Sequence, residues 1–436
     1  MRTALRVATG VLLLLSACTE REDILPGERQ TIRGTDPGLL IAAVDADAAP
    51  PLTLPAARRL PDWPLRVGNA RNDPGHATLS AAPTRLWSAS VGQGDTRRQR
   101  IAADPVSDGA RIFTMDARSG VVATSVQGAT LWRRSLVPTS ERETDAAGGG
   151  LAVADGTVFA TTGYGNLHAL DAETGAELWV QRLDAPVTSP KPAGGLVYLV
   201  SRDARAFAID ARTGRIRWEL PAAAAASVMA TAPAPAVTDR LAILPFGSGE
   251  LLAALRQSGL RVWGTSVSGR RRGVAYNGQD DITGDPVVAD GAVYAGTTAG
   301  RIVALDLRDG TRRWTLTEGA ISPLAVAGGS VFAVTDRAQL LRVDAATGAV
   351  LWRRDLPFWT RARVARREGV YVHHGPVLAG GRLWIASSDG AMRAFDPASG
   401  APAGALDVPG GAASRPIAFG DALYVVGRKG QLHAYR

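Results

Sequence analysis

A short phrase recurs along this chain at a period of roughly forty to fifty residues, and a period of that length confines the fold to a repeat architecture. The clearest copy is Gly300-Arg-Ile-Val-Ala-Leu-Asp306-Leu-Arg-Asp-Gly310-Thr-Arg-Arg-Trp314. Others are Gly165…Asp171…Gly175…Trp179, Asp210…Gly214…Trp218, Gly249…Gly259…Trp263, Asp344…Gly348…Trp352 and Asp396…Gly400, with a worn first copy at Gly120…Gly128…Trp132. An eighth, Gly430-Gln-Leu-His-Ala-Tyr-Arg436, stops where its aspartate is due.

Each unit opens on a proline and a short apolar run, as in Asp285-Pro-Val-Val-Ala or Gly375-Pro-Val-Leu-Ala. A turn carrying Gly or Asp leads into a second apolar run, for example Asp290-Gly291 before Ala292-Val-Tyr-Ala. These are hairpin signals. The third strand ends in Asp-x-x-[Thr/Ser/Asp]-Gly, where the carboxylate accepts from nearby backbone N–H groups and the glycine supplies a positive-φ corner. Four short strands per repeat predict an all-β β-propeller of PQQ-like repeats. The recurring tryptophans then read as packing between neighbouring blades, with each indole N–H on a backbone acceptor. The recurring aspartates read as turn formers.

The two ends of the chain set the blade number. The last unit has three strands and no outer tryptophan strand, whereas Arg85-Leu-Trp87-Ser-Ala-Ser90 is an outer strand with no unit of its own. Joining them makes an eight-bladed ring, closed by the N-terminal strand completing the C-terminal blade, with no open gap between first and last units.

Ahead of the ring, Arg2 and Arg6 precede Val7–Leu15, a run suited to the centre of a signal peptide and too short to span a bilayer. It ends in Leu15-Ser16-Ala17-Cys18, the pattern of a lipobox, and Cys18 is the sole cysteine of the chain. Residues 1–17 are therefore expected to be a lipoprotein signal peptide and 18–84 a lipidated cysteine with a flexible tether, followed by the propeller at 85–436. Thr19 is not the aspartate that retains many lipoproteins at the inner membrane. The expected address is the periplasmic face of the outer membrane. Residues 19–83 are rich in Pro, Ala, Asp and Arg without sustained periodicity, as a tether would be, and within them Asp62-Trp63-Pro64 is a candidate for local docking on the propeller with no functional role attached.

Net charge is +8, carried almost entirely by arginine. Export argues against nucleic acid as partner, and arginine spread over many blades reads as solvated surface. Of the five histidines, His168 and His433 hold one repeat position, and His373-His374 is the only pair. Adjacent residues on a strand face opposite ways, so the pair is not expected to hold a metal. No nucleophile elbow or phosphate loop stands out, and an enzyme is not expected.

The repeat resembles that of the quinoprotein alcohol dehydrogenases, which hold pyrroloquinoline quinone and calcium on the ring axis. The chain has neither their adjacent cysteines nor the Cys-x-x-Cys-His of a haem domain, so no cofactor is expected. A lipobox, an eight-bladed ring, Leu86-Trp87-Ser-Ala-Ser-Val-Gly92 at its start and Gly430–Arg436 at its end together resemble the BamB family, accessory lipoproteins of the outer-membrane β-barrel assembly machine. The resemblance implies a non-enzymatic scaffold that binds the periplasmic POTRA domains of BamA through loops on one rim, alongside other assembly subunits and unfolded outer-membrane proteins. The matching segments here are Pro221–Thr231 and Gly269–Asp285. In this reading Val228 and Met229 form an apolar centre, and Arg270, Arg271, Arg272, Asp280 and Asp281 a charged rim. Thr283 stands where a second acid is expected. Two rival readings are a periplasmic quinoprotein or degenerate relative, and an envelope scaffold unrelated to barrel assembly.

Overall fold

In the computed structural model, residues 49–146, 148–225, 233–269 and 281–436 are described. Their regular structure is strand, apart from one 3-10 turn at Val364–Arg366. The strands form eight antiparallel four-stranded sheets. Blades 1 to 7 are built from consecutive strands within 106–135, 149–182, 191–221, 236–266, 287–316, 325–355 and 373–407. Within each blade the strands run a to d outward from the axis. The d strands expose alternate residues, as in Glu177–Arg182, while b and c strands such as Leu196–Val200 are buried throughout.

Blade 8 combines Ile417–Phe419, Ala422–Gly427 and Gln431–Tyr435 with Arg85–Ser90 as its outer strand. The register runs from Arg85 opposite Tyr435 to Ser90 opposite Gln431. Thr84 and Arg436 extend it by exchanging backbone hydrogen bonds at 2.9 Å in both directions. The ring thus closes through the two chain ends, as the half-finished repeat requires.

The apolar core is divided into layers between neighbouring blades, for example Tyr294, Ile302 and Trp314 of blade 5 against Val331, Leu341 and Val343 of blade 6. The tryptophans explain the spacing of the repeat. Seven of them, from Trp87 to Trp352, donate the indole N–H to a carbonyl in the c–d turn of the next blade. Trp132 reaches Ala172 O at 3.1 Å, Trp218 reaches Arg256 O at 2.9 Å and Trp314 reaches Ala345 O at 2.9 Å. The same ring lies over the glycine of that turn. A Cβ at Gly175, Gly310 or Gly348 would come within 2.7 Å of the preceding blade's indole. The glycine is therefore fixed twice, by its positive φ and by the close approach of the ring.

Blade 7 breaks the series for a physical reason. Gly404, opposite Ala394, takes the place of the outer tryptophan. The next blade has no c–d hairpin to receive an indole, because there the two chain ends meet.

Residues 49–84, expected to be a tether, instead pack on the ring. Trp63, Val67 and Ala77 are 1% exposed and Asn72 is fully buried. The segment contacts all eight blades and follows the ring for much of its circuit. Gly420 N–H donates to Leu60 O in blade 8, Trp63 and Ser107 exchange bonds in blade 1, and Val153 N–H donates to Pro64 O in blade 2. Lys191 of blade 3 donates to Asn69 O, and then Val237 N–H donates to Ala70 O in blade 4 and Val288 N–H to Arg71 O in blade 5. Arg342 of blade 6 donates to Pro50 O, and Gly380 N–H of blade 7 to Ala77 O. Each partner lies in a different blade, which is why the segment has no periodicity of its own. Most of its partners lie on the inner strands or in the a–b turns, where axial backbone groups need acceptors and donors from outside their own sheet, and Arg342 reaches it by its side chain from the third strand of blade 6.

Candidate functional site

Two places on a propeller can carry function, the axis and the rims. The belt formed by residues 49–84 lies along the face that carries the a–b turns, reaching Asp239, Gly328, Gly380 and Asp421. It sends Arg66 and Asn72 inward. Arg66 Nε donates to Asp104 at 3.0 Å and its Nη1 meets Asp285 at 3.1 Å. Asp104 and Asp285 each precede the proline that opens an inner strand, so the repeat itself delivers them to the axis. Burial works against the Arg66 charge, but Asp285 and Asp104 outweigh it and raise its pKa.

Beside this pair, Lys191 is fully buried, and its ammonium donates to Asn72 Oδ1 and to Asn69 O. Burial pulls its pKa from 10.5 down to about 7, against the field of Asp285. Arg415 N–H donates to Asp104 at 2.8 Å, and burial lowers the guanidinium pKa. Asn72 Nδ2 donates to Pro235 O and Pro286 O, tying blades 4 and 5 to the belt.

A quinone with its calcium on this axis does not fit the residues present. Arg66 already engages both carboxylates, the belt fills the approach from one face, and no group of three or more His, Cys, Asp and Glu side chains suited to a metal occurs among the described residues. His373 and His374 diverge. The first is held by Ser387 Oγ and Pro357 O, both at 2.7 Å, and burial lowers the pKa of the second to about 4 against the field of Asp104. His168 contacts Glu177 at 2.9 Å and His433 contacts Ser88 at 2.7 Å, both as strand residues.

The opposite rim carries the connections from each d strand to the next blade. Of the residues singled out for partner binding, Val228, Met229, Arg270, Arg271, Arg272 and Asp280 lie outside the described residues, as does Cys18. Asp281 is described, and it is 3% exposed instead of standing on a charged rim. The chain turns inward here because Ile282 bridges Thr297 and the Thr283 hydroxyl donates to Ala320 O. Asp281 instead supports the charge of Arg202, whose pKa burial lowers. The position of Thr283 is thus a packing position, where a second acid would lose that hydrogen bond.

Trp63 docks on the ring as the Asp62-Trp63-Pro64 signal allows, but the course of the belt and its axial charges are not legible in the sequence. The available signals were Asp62-Trp63-Pro64 and a lone lysine opening a strand, Lys191-Pro192, in a chain otherwise basic through arginine.

Fold and axis together define a closed eight-bladed propeller of quinoprotein-type repeats whose own belt covers one mouth of the axis. The sequence model of the family described as outer membrane protein assembly factor BamB matches residues 117–354 and 343–436. The chain belongs to that family. Outer membrane protein assembly factor BamB of Yersinia pestis is 24% identical over 361 residues, covering 81% of this chain and 89% of the relative. The crystal structure of BamB from Moraxella catarrhalis superposes with a TM-score of 0.67 at 18% identity, covering 81% of this chain and all of that one. The quinohemoprotein alcohol dehydrogenase of Comamonas testosteroni shares the fold, with a TM-score of 0.67 at 15% identity over 87% of this chain and 81% of its own.

Proposed function

We propose that this protein is a non-enzymatic scaffold of the outer-membrane β-barrel assembly machinery, held at the periplasmic face of the outer membrane by acylated Cys18. It binds POTRA domains of the BamA-type core protein through connections on the rim opposite the belt. The family match over residues 117–436 carries this reading. The belt supports it by covering one mouth of the axis and leaving the opposite rim for recognition. Connections 222–235 and 267–286 leave consecutive blades, so their residues can form one composite patch. Val228 and Met229 supply its apolar centre, and Arg270, Arg271, Arg272 and Asp280 its charged border, with Asp281 acting from beneath through Arg202.

Co-purification from membranes tests the assignment. Met229→Glu and Arg271→Glu are expected to lose the core assembly protein while keeping wild-type thermal unfolding. Retention at wild-type level by both variants refutes the interface, and absence of the core protein from the wild-type eluate refutes the function.

A further inference from the structure

We propose that the connection between blades 6 and 7, residues 356–372, docks on the anionic phospholipid headgroups of a bilayer surface. Its stem is fixed to the ring. Leu356 is buried, Tyr371 N–H donates to Phe358 O at 2.8 Å, and Thr360 N–H donates to Gly369 O at 3.0 Å. Beyond these rungs the chain stands off the propeller, with every residue of 359–368 exposed and a single 3-10 turn at Val364–Arg366 shaping the tip.

The exposed residues are of two kinds. Arg361, Arg363, Arg366 and Arg367 face one acid, Glu368, giving the tip a formal charge of +3 by four minus one. Among the described residues none of the four arginines makes an ion pair. Elsewhere on the ring an arginine beside a turn is commonly matched locally, as Arg217 is by Asp210, Arg313 by Asp306 and Arg393 by Asp389. Set among the unmatched charges are Trp359 at 40% exposure, Val364 at 72%, Val370 at 46% and Val372 at 45%. The Trp359 ring is held edge-on to Phe358 at 4.7 Å, with the Arg367 guanidinium 5.5 Å from its centre.

Large apolar groups left in water at a loop tip are unfavourable unless another medium receives them. The tip sets a one-sided positive charge beside exposed tryptophan and valine side chains, the combination that an anionic bilayer surface receives. Indole rings settle at headgroup level, short apolar side chains enter the acyl boundary, and guanidinium groups bind phosphate bidentately. No helix among the described residues is long and apolar enough to cross a membrane.

The test uses the full chain carrying Cys18→Ser, mixed with vesicles of phosphatidylcholine alone or with phosphatidylglycerol brominated on its acyl chains. Wild-type loop sequence is expected to co-sediment with the anionic vesicles in a salt-sensitive manner, with part of its tryptophan emission quenched by bromine. Trp359→Phe should abolish that quenching while most binding remains. Arg363→Glu with Arg366→Glu should weaken binding roughly tenfold or more, with unchanged thermal unfolding because both residues are exposed. Equal binding to neutral vesicles, quenching that survives Trp359→Phe, or undiminished binding by the charge-reversed form overturns the proposal. So does loop-dependent binding to an acidic polypeptide with none to the anionic vesicles, which would mark a protein partner.

Discussion

Replacing Gly348 by alanine tests the contact that repeats around the ring. Gly348 has φ +78°, and a methyl there would lie 2.7 Å from Trp314 Cδ2 of the preceding blade. Gly195 provides the control, with φ +80° and nothing within 4 Å of its Cβ position. The left-handed backbone costs each alanine about 1–2 kcal/mol. Only Gly348→Ala adds overpacking, about 1–3 kcal/mol, because the indole is pinned by its bond to Ala345 O at 2.9 Å and by tilted contact with Tyr294. The expected losses are therefore about 1–2 kcal/mol for Gly195→Ala and roughly 2–5 kcal/mol for Gly348→Ala. Trp314→Ala on its own should cost about 3–5 kcal/mol, and in that background Gly348→Ala should fall back to the cost of the control. Urea unfolding of the four forms of the cycle gives a coupling of about 1–3 kcal/mol of opposite sign to the single losses. Additive losses, or equal losses at Gly195 and Gly348, would refute the claim that the glycine is kept for the neighbouring indole.

Arg66→Met should destabilise by about 3–5 kcal/mol in urea, since it leaves Asp104 and Asp285 buried without their cation; adding Asp104→Asn and Asp285→Asn should recover much of the loss. Lys191 has its pKa lowered from 10.5 to about 7 by burial, so the unfolded chain binds more protons between these values and stability should rise with pH across that window. The rise is at most about 5 kcal/mol, and the difference between wild type and Lys191→Met in pH-dependent unfolding should show it; a flat difference from pH 7 to 10 would contradict the lowered pKa of the buried lysine. Trp87→Ala, at the closure between blades 8 and 1, should cost about 3–5 kcal/mol and increase self-association measured by light scattering, because it loosens the strand that shields the sheet edge of blade 8. Gly404→Trp should bring no stabilisation in thermal unfolding, because no c–d turn of blade 8 exists to receive the indole.

Local chemistry explains what could be read in advance. A turn such as Asp171-Ala-Glu-Thr-Gly175 forms its hydrogen bonds within five residues, with the carboxylate accepting from Thr174 N–H and Oγ, so its role is visible in the residues themselves. The same holds for strand alternation, the place of the tryptophans and the closure, because a unit lacking a strand and a strand lacking a unit can be matched by counting. The family resemblance rests on these local signals as well. The partner-binding residues are less legible, and Asp281 shows why: a charge in a loop looks exposed until Ile282 and Thr283 are seen to bind blade 5 and the entry to blade 6.

The sequence by itself determined the repeat, the number of blades and the join between the chain ends, since each depends on contacts between residues close in the chain or on a motif repeated at fixed spacing. Only the tertiary structure decided that residues 49–84 encircle the axis and that Arg66, Asp104, Lys191, Asp285 and Arg415 meet there. These groups come from the belt and four separate blades, and no local pattern records a meeting that exists only once the ring has closed.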